Sequence, residues 1–149
     1  MGILTKDIKF NVLISDLWNC CLKEDICGTC EKNKCLIGYC KNSLKGCVME
    51  DVTYVKDGMD NLPSSDLKLY DNHNLIEAIS QILKQCRSCK EDHYDNCIIN
   101  ILRSTYEIIL FGEPQDYNGS VLVYLDKIKA INPELSSKIF DTYMRLKKL

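Results

Sequence analysis

Residues 74–86, NLIEAISQILKQC, place Leu75, Ile76, Ile79, Ile82 and Leu83 three or four positions apart. At 3.6 residues per turn such steps gather on one side of a helix, whereas a half-buried strand would alternate every second residue. The stretch reads as an amphipathic helix with one face on a core. The fold therefore depends on whether the same period continues on either side.

Toward the C-terminus it does. After the polar interruption KEDHYDN, a second stripe runs through Ile98, Ile99, Ile101, Leu102, Tyr106, Ile109 and Leu110, giving two helices or one kinked helix. Gly112 and Pro114 break the pattern, and Val121, Leu122, Leu125, Ile128 and Ile131 resume it. Asn132-Pro133-Glu134 is a start signal, because an Asn side chain accepts orphan amide bonds while Pro fits the first helical position. The last helix carries Ile139, Phe140, Tyr143 and Leu146, with Arg145, Lys147 and Lys148 at the negative pole of its dipole.

Toward the N-terminus, residues 5–23 also favour a helix, through Leu13, Leu17, Trp18, Cys21 and Leu22, with Thr5 as its cap. Ile8, Phe10, Val12 and Ile14 alternate like a strand as well, leaving its beginning open. From Cys27 to Asp60 the period is lost and Gly28, Gly38, Gly46 and Gly58 punctuate the chain, with one short strand conceivable at residues 51–56. The expected fold is mainly α: a small helical bundle with a Cys-rich, loop-rich metal-binding segment near the N-terminus. One domain spans residues 1–149, divided into a helix at 5–23, a Cys-rich loop segment at 24–65 and a helical body at 66–149.

A chain of 149 residues buries enough surface to fold without covalent staples. Its ten cysteines therefore call for another reason. The opening MGILTKDIKFNVLISDLW is interrupted by Lys6, Asp7, Lys9 and Asp16 and does not read as a signal peptide, so the expected compartment is the cytoplasm. No apolar run approaches the roughly 20 residues that cross a bilayer. Reducing surroundings make clustered cysteines metal ligands or redox groups, whereas secretion would let ten of them form five disulfides.

Residues 27–40, CGTCEKNKCLIGYC, have the spacing C-x2-C-x4-C-x4-C. Two residues between thiolates let both reach one tetrahedral ion, and Gly28 suits the turn. The spacing resembles the zinc knuckle of retroviral nucleocapsid proteins, C-x2-C-x4-H-x4-C, met here by Cys27, Cys30, Cys35 and Cys40 with Cys35 in the histidine position. The resemblance spans these fourteen residues only. It implies a four-ligand zinc site and contact with single-stranded nucleic acid. Cys47 is a possible additional ligand, while Cys20 and Cys21 read as packing residues.

A second group is Cys86, Cys89, His93 and Cys97. On one straight helix these lie on a single stripe, but a rise of about 1.5 Å per residue puts the outer pair roughly 16 Å apart, too far for one ion. Either KEDHYDN folds back to form a C-x2-C-x3-H-x3-C site, or Cys86 and Cys89 join the cysteines of the first group. Cys97, set in NCIINIL, reads equally well as a core residue.

Histidine among the thiols favours zinc over an iron–sulfur cluster, which is the alternative. No P-loop, dinucleotide fingerprint, HExxH, nucleophile elbow or deaminase signature occurs. The functional expectation is a non-enzymatic adaptor or regulatory protein with structural zinc and another protein as partner. An iron–sulfur protein in redox sensing or electron transfer comes second. Third is single-stranded nucleic-acid binding through the lysines between 32 and 45, with Tyr39 stacking on a base. The net charge of −2 opposes that third reading, since nonspecific nucleic-acid affinity rests on cations.

Overall fold

The computed structural model describes residues 10–21, 35–50, 52, 55–63, 70, 72–87, 97–115 and 120–147. Among them six helices follow one another: α1 Phe10–Cys20, α2 Leu36–Glu50, α3 Asn72–Arg87, α4 Ile98–Phe111, α5 Val121–Ile131 and α6 Pro133–Lys147. No β-strand forms among the described residues; of the short strand conceivable at 51–56, residues 51, 53 and 54 lie outside the described residues, and 56–61 is a turn. The mainly helical expectation holds.

Helix α2 departs from the loop expected at 24–65. Leu36, Ile37, Tyr39, Cys40, Leu44 and Cys47 are buried along it. They make a helical stripe only once cysteine is counted as a small apolar residue. Gly38 and Gly46 reduce helix propensity by about 1 kcal/mol each. Burying that face on α1 and α4 outweighs the reduction, at ~25 cal/mol per Å2 of apolar surface removed from water.

Helices α1 and α3 run antiparallel, since the Asn74 side chain donates to the Asn19 carbonyl at 3.0 Å and Asp16 faces Glu77 one turn away. Helices α2 and α4 are antiparallel too, with Cys40 opposite Thr105 and Cys47 close to Cys97. Because α3 ends at Arg87 and α4 starts at Ile98 and packs back against it, the two stripes flanking KEDHYDN form two helices rather than one. A single buried cluster passes through the interior, with Leu17, Ile37, Ile79, Leu83, Ile98, Ile128 and Ile139 fully inaccessible.

The helix ends follow local chemistry. Asn132 caps α6 as its sequence suggests, its Oδ1 accepting from Leu135 N at 3.1 Å, and Ser120 caps α5 by accepting from Val123 N at 3.3 Å. Gly112 closes α4 at φ 90°, a left-handed conformation that glycine adopts without steric cost. Gly58 packs so tightly on Ile101 that a Cβ there would collide with it, and its carbonyl accepts from the Tyr39 hydroxyl at 2.7 Å. The 55–62 turn is thereby tied to the helical body.

Among the described helices, α5 lies at one edge. Its main packing partner is α6, which in turn lies on α3. One consequence is that Leu122, Ile131 and Phe140, all expected in the core from their period, are 71%, 48% and 40% exposed. No further helix covers them among the described residues.

Candidate functional site

The described cysteines divide into buried and half-buried thiols. Cys20, Cys40, Cys47 and Cys97 belong to the apolar core, and Cys21 and Cys35 are partly accessible. Cys40 is fully inaccessible and hydrogen-bonds with the Thr105 hydroxyl at 3.0 Å. Burial pushes its thiol up to about 12, and that of Cys47 to about 11 with help from Cys97 and Glu50. Both thiols pack among the apolar side chains of the core. Cys35 hydrogen-bonds with the Tyr70 hydroxyl at 3.1 Å, just outside the start of α3.

Cys27, Cys30, Cys89 and His93 lie outside the described residues, as does the side chain of Cys86. Among the described residues, no three His, Cys, Asp or Glu side chains converge as a metal site would require. The flanking positions nevertheless bear on how ligands divide. Cys35 sits beside Tyr70 at the start of α3, whereas Cys86 is in the last turn of that helix. At 1.5 Å per residue the two ends of the helix are about 20 Å apart.

Tyr39, a candidate for stacking on a base, is instead 9% exposed and held by Gly58. Lys41, from the same basic stretch, lies 4.8 Å from the centre of the Trp18 ring, a cation–π contact that secures α2 to α1. Both residues serve the fold.

Two polar clusters were not foreseen from sequence. Glu107, fully buried on α4, accepts from the Tyr124 hydroxyl at 2.5 Å and from Gln115 N at 3.0 Å, and pairs with Arg103 at 3.4 Å. Burial raises its carboxyl above the usual range although Arg103 and the hydrogen bonds pull it down. The arrangement closes on itself and anchors α5 and the 112–115 turn to α4. The second cluster links α1, α3 and α6: Asp16 faces Glu77, which is ion-paired with Arg145. Neither cluster opens into a described cavity.

An open feature does exist between α5 and α6. Two hollows of about 370 and 530 Å3 share the side chains of Leu122 and Phe140 as their common ridge. The first has Ser136 and Ser137 on one wall, where short side chains leave space, and Ser136 is held in place by donating to the Leu125 carbonyl at 2.8 Å. The second is bounded by Val121, Tyr143 and Met144. The sequence signal for this surface was an excess: Leu122 and Val123 add apolar residues beside a stripe that Val121, Leu125 and Ile128 already complete.

Comparison with protein-family models, curated proteins and solved structures finds no match to this chain. No helix among the described residues is long and apolar enough to cross a membrane.

Proposed function

We propose that this protein is a non-enzymatic adaptor whose α5–α6 face receives a segment of another protein, and whose cysteine segments hold structural zinc in a reducing cytoplasm. The observation that carries the reading is the uncovered apolar ridge of Leu122 and Phe140 between two hollows. Large apolar side chains left exposed beside hollows offer a surface that a partner's side chains can bury.

The zinc component follows from ligand spacing. By sequence spacing Cys27, Cys30 and Cys35 form one group and Cys86, Cys89 and His93 another, and of these Cys35 and Cys86 lie toward opposite ends of α3. Zinc closed by four protein ligands stabilises structure rather than activating water, so the adaptor role requires one further protein ligand to complete each group of three. Cys40, Cys47 and Cys97 contribute packing to the helical body.

Two measurements test the two components separately. A photo-crosslinking residue at position 122 of the full chain should trap a defined protein, and binding reconstituted with that protein in pure form should be lost in Phe140→Asp. Crosslinking no stronger than from exposed position 138 would refute the adaptor reading. Elemental mass spectrometry of untagged protein should find zinc, reduced by Cys30→Ser; metal-free, folded protein would remove the zinc component.

A further inference from the structure

From the charge and dimensions of the α5–α6 groove, we infer that its occupant is an acidic amphipathic helix of a partner protein. The inference rests on the adaptor reading and specifies which partner chemistry the surface accepts.

The groove has two walls of helical period. Leu122, Leu125 and Lys129 contribute from α5; Ser137, Phe140 and Met144 contribute from α6. Steps of three and four residues on each wall put these side chains on one face of each helix. Pro133 and Lys147 mark its two ends on α6, roughly 21 Å apart at 1.5 Å per residue, which is the length of about fourteen helical residues. Phe140 lines both hollows; Ser137 lines only the first and Met144 only the second, and these two positions are about two turns apart on α6. A helix laid in the groove would fill the hollows with apolar side chains seven residues apart and rest an intervening one on the Leu122–Phe140 ridge.

Charge sets the partner's polarity. Lys129 lines the first hollow and Lys147 the second, and neither is ion-paired among the described residues. Lys138 nearby is already engaged by Glu134 at 2.9 Å, so it does not compete for the ligand. Asp126, on the first hollow with Lys129, is the one acidic side chain on the lining among the described residues, so the described lining carries a net charge of +1, its excess at the Lys147 end, on a chain whose total charge is −2. A ligand helix with Glu or Asp near both ends meets a lysine at each. A second copy of this chain is the poorer fit: in a symmetric pairing each groove end meets an end of the other groove, so lysine faces lysine.

The test uses the full-length chain and two synthetic sixteen-residue helical peptides. Both carry Leu at positions i, i+3 and i+7; one has Glu at each end and the other Lys. Fluorescence anisotropy at low salt should show the Glu peptide binding at least about tenfold more tightly, the scale of two favourable rim contacts. Lys129→Glu combined with Lys147→Glu should reverse that order. Leu122→Asp should abolish both interactions, and an unchanged melting curve would show that it still folds because its side chain is solvent-exposed.

Equal affinity for the two peptides, or no binding of either, overturns the inference. If position 122 still crosslinks to a defined partner, the adaptor reading survives and only the acidic-helix assignment falls. Light scattering that reports a dimer dissociated by Leu122→Asp places a second copy in the groove and likewise overturns it.

Discussion

The Cys40 thiol lies 3.0 Å from the Thr105 hydroxyl, joining α2 to α4 inside the apolar core. A fully buried sulfur with a hydroxyl partner is a packing element with one polar contact. Cys40→Ala should therefore destabilise the protein by about 1–2 kcal/mol through the vacated volume and the unpartnered hydroxyl. Its zinc content, measured by elemental mass spectrometry on folded protein, should equal that of the unaltered chain, because Cys40 is not among the proposed ligands.

Thiol reactivity should follow the same division. Cys21 and Cys35 are partly accessible, whereas Cys20, Cys40, Cys47 and Cys97 are buried. At pH 8, with Cys40 raised to about 12 and Cys47 to about 11, neither buried thiol supplies much nucleophilic thiolate. Brief iodoacetamide labelling followed by peptide mass spectrometry should modify Cys21, which is not a proposed zinc ligand, well ahead of Cys40 and Cys47. Denaturant should erase the difference.

Asp16 gives stability a pH dependence. Burial, and then the nearby Glu77, raise its carboxyl from an ordinary 3.8 to about 6, and its Oδ2 is buried with no hydrogen-bond partner among the described residues. The folded state thus holds this proton more tightly than the unfolded one. The stabilisation is complete below about 3.8 and is lost as pH rises through about 6. Asp16→Asn should gain about 1–2 kcal/mol at pH 8 relative to the unaltered chain and little at pH 4. Urea unfolding at the two pH values measures it.

Glu107 and Arg103 should be costly to separate and cheaper to replace together. Glu107→Gln leaves the Arg103 charge buried without its carboxylate, which should destabilise by about 3–5 kcal/mol. Adding Arg103→Met should restore a large part of that loss. A double-mutant cycle in urea would measure the coupling, and independent additive losses would show that the pair is not a unit.

Much of the helical architecture is already present in the residue pattern. The stripe at 75–83, the break at Gly112, and the Asn132-Pro133 start each lead to the element observed, because hydrophobic period and capping are local properties. The α2 helix was obscured for a local reason too: cysteine serves as well for ligation as for packing, and Gly38 and Gly46 carry a loop signal that only burial on α1 and α4 outweighs.

What sequence alone determined is therefore the helical class, most helix positions, and the two cysteine groups as candidates for metal. Tertiary structure decided what those residues do in space. Antiparallel pairing of α1 with α3 and α2 with α4 set Cys35 and Cys86 at opposite ends of a helix, while moving Cys40, Cys47 and Cys97 into the core. The placement of α5 at one edge left Leu122 and Phe140 uncovered. Periodicity records which face of a helix is apolar. Whether another helix covers that face depends on contacts between residues far apart in the chain, which no local pattern contains.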